Sequence, residues 1–239
     1  GEPVPFTQAV INGLAQGGGL YVPEELPTLS LDEICALARL PYAQRAAAIY
    51  KAFNVDLPDE AIDELMGRAY GDNFDDEAIC PITSLDESTH ILELWHGPTC
   101  AFKDMALQML PYLLTASLRK TGEEKTVCIL VATSGDTGKA ALEGFRDVDR
   151  TKILVFYPDG GVSDMQKLQM VTQEGKNVGV CAVRGNFDDA QDIGGAIKGA
   201  VRGDYFWGSG KDDVLDYAGR MNSAGRYFIM LPKKTETRN

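Results

Sequence analysis

Three short apolar runs in the second half of the chain constrain the fold most strongly, because a stretch with helical character follows each of them. The runs are VCILVAT at 127–133, KILVFYP at 152–158 and VGVCAV at 178–183. Helices are predicted after them at 137–146, at 163–174 and from about 187. Apolar, β-branched strands of this kind are typical of parallel sheets that are buried on both faces. The alternation predicts an α/β fold, with an open, mostly parallel sheet and helices on both faces.

A fourth run, ILELW at 91–95, comes earlier in the chain, and a helix over 103–120 is predicted after it. In open α/β sheets, ligands bind at the edge formed by the carboxyl ends of the strands. Two motifs, one containing Lys103 and one containing Asp136, each lie between a predicted strand and its helix. We therefore expect both motifs at the same edge of the sheet.

The preceding residues form a different pattern, in which apolar side chains recur at helical spacing. Helix starts are indicated by a capping box from Ser30 to Glu33 and by Pro41 and Pro58. The pattern predicts a small, mostly helical N-terminal domain over 1–85. Part of the α/β domain is expected over 86–192, and a less ordered remainder over 193–239.

The charge and cysteine content of the chain argue against several classes of protein. The net charge is −12, whereas proteins that bind nucleic acids or anionic membranes present clusters of basic residues. Five scattered cysteines and only two histidines speak against a disulfide framework or a metal site. No apolar run approaches the ~20 residues of a membrane span, and the first residues do not resemble a signal peptide. We expect a cytoplasmic protein.

Lys103 stands out within the run LELWHGPTCAFKDMALQ, residues 92–108. It follows a Gly-Pro turn, lies between Phe102 and Asp104, and is expected at the start of a helix. An aromatic neighbour and a helix N-terminus both disfavour the ammonium form, and a neutral amine is the nucleophile that forms an imine. The alternative is an ordinary helix start, in which Asp104 interacts with the helix dipole. Residue spacing alone leaves both interpretations open.

The second motif, ATSGDTGKAA at 132–141, has the form of an anion cradle. Backbone N–H groups are free where a strand passes into a helix, and glycine allows a ligand to approach the backbone closely. The motif is not a phosphate-binding loop of the Walker type, because Thr133 and Ala140 stand where that loop needs Gly and Ser or Thr. An N-cap turn without a ligand is an equally good interpretation of the spacing.

Taken together, these segments resemble the threonine synthase family, whose members are fold-type II pyridoxal-phosphate enzymes. HGPTCAFKDMALQ is similar to the family's cofactor-lysine motif and TSGDTG to its substrate and cofactor loop. The early segments FTQAVINGLA and GGGLYVPE, and the later segments YPDGGVSDMQKLQM and GNFDDAQ, match the family in the same order. The resemblance covers about residues 6–192.

The resemblance implies a role for each of seven residues. Lys103 would hold pyridoxal phosphate as a Schiff base and later shuttle protons, with Phe102 packed near the cofactor ring. Asp136 would lie beside the 3′-oxygen of the cofactor. The substrate carboxylate would be bound by residues of the second motif: Ser134, Gly135 and Thr137, with Thr133 assisting.

The activity implied is the conversion of O-phospho-L-homoserine and water to L-threonine and phosphate, the last step of threonine biosynthesis. The expected partners are this small-molecule substrate and, at most, a second copy of the chain, as a monomer or homodimer; no metal, nucleic acid or membrane is expected. Two alternatives stay open: another fold-type II lyase, such as a threonine dehydratase or an amino-phospholyase, and a cofactor-free, non-catalytic scaffold.

The resemblance ends after residue 192. Family members are longer and continue with a glycine-rich loop around the cofactor phosphate and a Ser or Thr partner for the pyridine nitrogen, and neither is found here. The segment at 209–229 instead resembles a region nearer the family's C-terminus. We therefore expect the chain to be discontinuous between about residues 193 and 209.

Overall fold

The computed structural model describes residues 2–15, 19–133 and 135–184, all of which fall in one compact unit spanning residues 1–195. The helices are α1 (Phe6–Asn12), α2 (Leu31–Leu37), α3 (Tyr42–Ala52), α4 (Asp59–Ala69), α5 (Asp104–Leu107), α6 (Leu110–Thr121), α7 (Asp136–Phe145) and α8 (Asp164–Val171). The strands are β1 (Ile82–Ser84), β2 (His90–Leu92), β3 (Val127–Ala132), β4 (Thr151–Pro158) and β5 (Val178–Val183). The predicted helix from about 187 and the predicted remainder over 193–239 lie outside the described residues.

Strands β3, β4 and β5 form a parallel sheet in that order. Val127 is the register partner of Thr151, and Ile153 is the register partner of Val178. Helix α7 connects β3 to β4, and α8 connects β4 to β5. The predicted α/β fold with a parallel sheet is therefore confirmed, and all three strands lie where the apolar runs placed them.

One face of this sheet forms a core with the helices. Ile153 and Val155 of β4 are almost fully buried, in one cluster with Leu142 and Phe145 of α7. On the opposite face Leu130 of β3 is 66% exposed within the described part of the chain. Strand β3 thus alternates between inward and outward side chains instead of being buried on both faces.

The prediction that ILELW forms a strand of the parallel sheet is wrong. Only His90–Leu92 is extended, and it pairs with β1 in a short antiparallel hairpin. The carboxylate of Asp86 accepts hydrogen bonds from the backbone N–H groups of Ser88 and Thr89, at 2.9 and 2.8 Å, and so closes the turn between the two strands. Pairing of β2 with a strand a few residues away costs less chain entropy than pairing with the distant edge of the parallel sheet.

The helix predicted over 103–120 is also interrupted. It divides into α5 and α6, with Gln108 and Met109 between them. Pro111 occupies the first turn of α6, where its missing N–H cannot continue the hydrogen-bond ladder of α5. The proline therefore ends one helix and begins the next.

Helix α6 contributes to two separate clusters of buried side chains. Leu114 and Leu118 pack into the core beneath the sheet. Leu113, together with Met109 just before the helix, packs into a second core formed with helices α3 and α4, which contains Ala47, Ile62, Leu65, Met66 and Ala69. The mostly helical N-terminal region is thereby attached to the α/β region along one shared helix.

The N-terminal helices begin close to the predicted positions. The capping box from Ser30 to Glu33 is present at the start of α2. Pro41 and Pro58 precede α3 and α4 as N-cap residues rather than occupying their first helical positions. Within the described residues, no helix combines the length and apolar character needed to cross a membrane.

Candidate active site

The segment that carries Lys103 is a tight loop folded over a buried carboxylate. Asp104, the first residue of α5, is only 1% exposed. Its two oxygens accept hydrogen bonds from the backbone N–H and the hydroxyl of Thr99, both at 2.8 Å. Gly97 is required beside it, since a Cβ on residue 97 would come within 2.5 Å of the Asp104 carboxylate. The Gly-Pro turn is thus clamped against the start of α5.

Burial raises the pKa of Asp104 above its usual range, and the hydrogen bonds from Thr99 oppose this effect. Removal from water disfavours the charged form of a carboxyl, while donors directed at it favour that form. Asp104 was expected only to interact with the helix dipole. Its larger role is to fix the conformation of the loop that leads to Lys103.

A histidine clamp precedes this loop, formed by His96 with Asp75 and Glu93. Nδ1 of His96 lies 2.6 Å from Oδ1 of Asp75, and Nε2 lies 2.8 Å from Oε2 of Glu93. The hydrogen bonds to Glu93 and Asp75 raise the pKa of His96. Hydrogen bonds from Thr83 and His96 lower the pKa of Glu93. Since both ring nitrogens face carboxylates, the protonated ring fits this position best.

The side chain of Lys103 lies over the ring of Phe102. Its Nζ is 4.6 Å from the ring centroid, a distance typical of a cation–π contact. The Phe102 side chain is 59% exposed, and Nζ makes no ion pair with any residue that the structure describes. The amine is therefore not committed to a carboxylate within this region.

The second motif forms a compact turn around the hydroxyl of Thr133, at the carboxyl end of β3. This hydroxyl accepts hydrogen bonds from the N–H groups of Gly135 and Gly138, both at 3.1 Å, and donates to the carbonyl of Gly135 at 3.2 Å. A hydroxyl has one donor and two acceptor sites, so Thr133 uses its full capacity inside the turn. Its side chain shapes the cradle and has no free hydrogen-bonding site there for a ligand.

Asp136 and Thr137 begin α7 and are exposed. Their backbone N–H groups take no part in the Thr133 network, and they lie at the positive end of a helix ten residues long. Gln166 of α8 donates from Nε2 to Oδ1 of Asp136 at 3.1 Å. The exposed rim of the cradle therefore carries one carboxylate, one hydroxyl and the N-terminus of α7.

Close packing of α5 and α7 relates the two motifs in space. Gly144 of α7 lies directly against the backbone carbonyl of Leu107, where a Cβ would overlap that oxygen. The helix that starts after Lys103 and the helix that starts at Asp136 are thus packed against each other. The predicted relation between the motifs needs a correction, because β2, the strand before Lys103, lies outside the parallel sheet.

Sequence reasoning singled out neither Gln166, His96 nor Asp75 as part of the site. Gln166 is separated from Asp136 by a whole strand, and Asp75 lies 21 residues before His96 in the chain. The capping pattern from Ser163 to Gln166 was a usable signal for the start of α8. The hydrogen bond from Gln166 to Asp136 depends on how α8 packs, and no pattern in the neighbouring sequence indicates it. Ser134, a predicted site residue, lies outside the described residues.

The parallel βα sheet with its strand-to-helix cradle is that of an α/β protein, and its superposition on solved threonine synthases places it in the fold-type II class. Residues 1–70 match the family described as the threonine synthase N terminus. A threonine synthase from Pseudomonas aeruginosa is 43% identical over 189 residues, which cover 79% of this chain and 40% of that protein. A human protein named threonine synthase-like 1 is 39% identical over 194 residues, covering 78% of this chain and 26% of that protein.

Solved structures give the same result. A threonine synthase from Brucella melitensis with bound pyridoxal phosphate superimposes with a TM-score of 0.73 at 39% identity, covering 79% of this chain and 40% of that one. The yeast threonine synthase has a TM-score of 0.73 at 35% identity, covering 80% and 40%. The relation of this chain to the threonine synthase family is therefore confirmed over about four fifths of its length. Residues 182–231 match a different family, the 3D domain, almost wholly outside the described residues.

The chain spans about 40% of the length of the Pseudomonas threonine synthase and about a quarter of the human protein. The individual site roles of Lys103, Phe102, Asp136 and the cradle residues stay predictions. Within the described residues, no cluster of His, Cys, Asp and Glu side chains has a metal-binding arrangement.

Proposed function

We propose that this chain forms the lysine-bearing wall of the pyridoxal-phosphate site of a threonine synthase, with Lys103 as the residue that holds the cofactor covalently. The observation that carries the proposal is the packing of α5 on α7, in which the helix that follows Lys103 lies against the helix that follows the Thr133 cradle. The confirmed relation to threonine synthases supports the same assignment.

The residues present suit a group of this kind. An aldehyde needs an amine that is free to attack, and within the described residues Lys103 Nζ lies over an aromatic ring and forms no ion pair. The N-terminus of α7 and the exposed hydroxyl of Thr137 suit an anionic group such as the substrate carboxylate. We assign that carboxylate to Ser134, Gly135 and Thr137, and we place Asp136 beside the 3′-oxygen of the cofactor. Thr133 contributes by shaping the turn.

Pyridoxal phosphate, when bound, supplies the electron sink that stabilises carbanions next to the substrate nitrogen. Lys103 would provide the proton transfers, as an amine beside the reacting carbon of the substrate. Phe102 covers the amine on one side. The net reaction converts O-phospho-L-homoserine and water into L-threonine and phosphate, so one C–O bond to phosphate breaks and one C–O bond to water forms. We place this activity in the cytoplasm, in a monomer or homodimer.

Two alternatives require a direct comparison because one of the relatives is named only threonine synthase-like. A threonine dehydratase or an amino-phospholyase would share the lysine and the cradle but release a different product. A scaffold without cofactor would share the fold alone. Threonine formation together with phosphate release from O-phosphohomoserine distinguishes the synthase from these lyases and from the scaffold. Threonine, as the substrate of a dehydratase, and a phosphorylated amine, as the substrate of a phospholyase, are assayed in parallel.

Substitution of the lysine tests the assignment. Lys103→Ala is expected to abolish covalent cofactor attachment, measured by visible absorption and intact mass after borohydride reduction. It should also lower threonine formation by a factor on the order of 10²–10⁴, as loss of a proton-transfer group does. Lys125→Ala, at an exposed position before β3, is the matched control and should change neither. Full activity in the Lys103→Ala protein would remove the basis of the proposal.

A further inference from the structure

We propose that Gln166 is a positioning residue of this site, which holds the Asp136 carboxylate in place from the first turn of α8. The inference rests on the proposed function, because Asp136 is the side chain assigned to the cofactor's 3′-oxygen. It adds a residue from the neighbouring βα unit to a site that otherwise consists of the Lys103 loop and the Thr133 cradle.

The two ends of the Gln166 amide have different partners. Oε1 accepts hydrogen bonds from the backbone N–H of Ser163 at 3.1 Å and from the Ser163 hydroxyl at 3.2 Å. Nε2 donates to Oδ1 of Asp136 at 3.1 Å. A backbone N–H can only donate, so the oxygen must face Ser163, and the NH₂ group is left to face the carboxylate. The orientation of the amide is thus determined by chemistry.

The cap of α8 explains only half of this arrangement. A capping box needs an acceptor at its third helical position, and glutamate serves as well as glutamine there. In α2 that position is occupied by Glu33. At residue 166, however, a glutamate would turn a second carboxylate oxygen toward Asp136. The amide is therefore required by the cradle and not by the helix.

The contact also closes one side of the cradle. Gly135 is buried, and the space that a Cβ would occupy there is filled by the Gln166 amide. Asp136 itself is exposed, and an exposed carboxylate without a partner rotates among its rotamers. Since Gln166 is half-buried and its Oε1 is anchored on the backbone N–H of Ser163, it can restrict Asp136 to one orientation.

Three variants, with Asp136→Asn alone as the reference for the third, separate this role from helix capping. Gln166→Glu keeps the cap and replaces the hydrogen bond to Asp136 by repulsion between two carboxylates. Ser163→Ala weakens the cap and leaves the donor to Asp136 in place. Gln166→Glu combined with Asp136→Asn restores a donor–acceptor pair with the roles exchanged. Two readouts are used: carboxyl NMR titration of Asp136 in protein without cofactor, and pyridoxal-phosphate affinity by absorbance titration.

For Gln166→Glu we expect the proton affinity of the Asp136 carboxylate to rise about tenfold and cofactor affinity to fall about tenfold, because like charges a few ångströms apart disfavour ionisation. Ser163→Ala should lower the melting temperature and leave both readouts unchanged. In the Asp136→Asn background, Gln166→Glu should change cofactor affinity by less than about twofold, since coupled residues are not additive.

The inference is overturned if Gln166→Glu leaves the Asp136 titration unchanged, or if it lowers cofactor affinity equally with and without the Asp136→Asn substitution. Either result reduces Gln166 to a helix cap. Failure of the unsubstituted chain to attach the cofactor would count against the proposed function instead. The NMR titration needs no cofactor, and it would then decide the positioning role by itself.

Discussion

At the residue scale, the loop before Lys103 depends on polar side chains that are buried or nearly so. Asp104 and His96 each satisfy two hydrogen-bond partners. Both residues lie in the same run as Lys103, residues 92–108. That run therefore contains the candidate reactive residue together with side chains that hold its loop in place. Residue type and spacing predicted where the reactive group is, whereas the partners of Asp104 and His96 became evident only from the folded loop.

Asp104 provides a prediction that separates hydrogen bonding from charge. Asp104→Ala leaves the buried donors of Thr99 without an acceptor and should lower the free energy of unfolding by about 2 kcal/mol. Asp104→Asn keeps an acceptor and should stay within about 1 kcal/mol of the parent. The folded-state pKa of Asp104 is raised, so its ionisation costs stability as the pH rises above the model-compound value of 3.8. Urea unfolding from about pH 4 to about pH 7 should therefore show the Asp104→Asn variant gaining on the parent.

For His96 we expect the same direction of pH dependence, at higher pH. Its folded-state pKa is raised above 6.5, so its stabilising contribution is complete below about pH 6.5 and is lost as the pH rises through the folded-state pKa. The melting temperature of His96→Gln should therefore lie below that of the parent at about pH 6, and the gap should narrow toward about pH 9. His90→Gln, in the exposed part of the hairpin, is the control. A gap that stays constant with pH would contradict the clamp.

At the element scale, the contact between α5 and α7 depends on the absence of a side chain at Gly144. Gly144 is the penultimate residue of α7, and alanine is ordinarily favoured over glycine in a helix. The carbonyl of Leu107 occupies the space where its Cβ would be. This glycine therefore maintains the distance between the two helices that begin at Lys103 and Asp136.

Two matched glycine substitutions test this contact. Gly144→Ala should force α5 and α7 apart and cost about 1–3 kcal/mol of unfolding free energy, as overpacking does. Gly67→Ala, in α4 with open space around it, should stabilise the chain by about 0.5–1 kcal/mol. Chemical denaturation of both variants measures the difference. Equal shifts for the two would contradict close packing at Gly144.

Strands and helices were predictable to different degrees, for physical reasons. The strands β3, β4 and β5 were predictable from the sequence because strands of parallel sheets are apolar along most of their length. ILELW carries the same signal, yet it forms half of a hairpin, since the turn at Asp86 offers a nearer partner. Gln166 could be identified as a helix cap from its neighbours, but its bond to Asp136 required knowledge of how α8 packs beside α7.

At the scale of the whole molecule, helix α6 joins two cores. Leu118 is 1% exposed in the core beneath the sheet, and Leu113 is 7% exposed in the core formed with α3 and α4. The predicted boundary near residue 85 therefore separates two patterns in the sequence, but the packing crosses it. A hydrogen bond adds to this connection, since the hydroxyl of Tyr70 donates to the backbone carbonyl of Met105 at 2.7 Å.

The shared helix leads to a prediction about cooperativity. Leu118→Ala and Leu113→Ala should each cost about 2–5 kcal/mol, and each should shift a single unfolding transition detected by both circular dichroism and hydrogen exchange. Leu110→Ala, on the same helix at a position that is 40% exposed, should have a much smaller effect. Two separated transitions in either core variant would show that the cores unfold independently.

Helix α6 also has a consequence for the order in which the chain is made. Helices α3 and α4 leave the ribosome well before α6, so they can pair with each other while the side of their core that receives Met109 and Leu113 is still open. That side closes only when α6 has been synthesised, and the other side of α6 then waits for β3, α7 and β4. During translation the nascent polypeptide thus exposes first the apolar side of the α3–α4 core and then the apolar side of α6. A chaperone that binds these surfaces would delay aggregation.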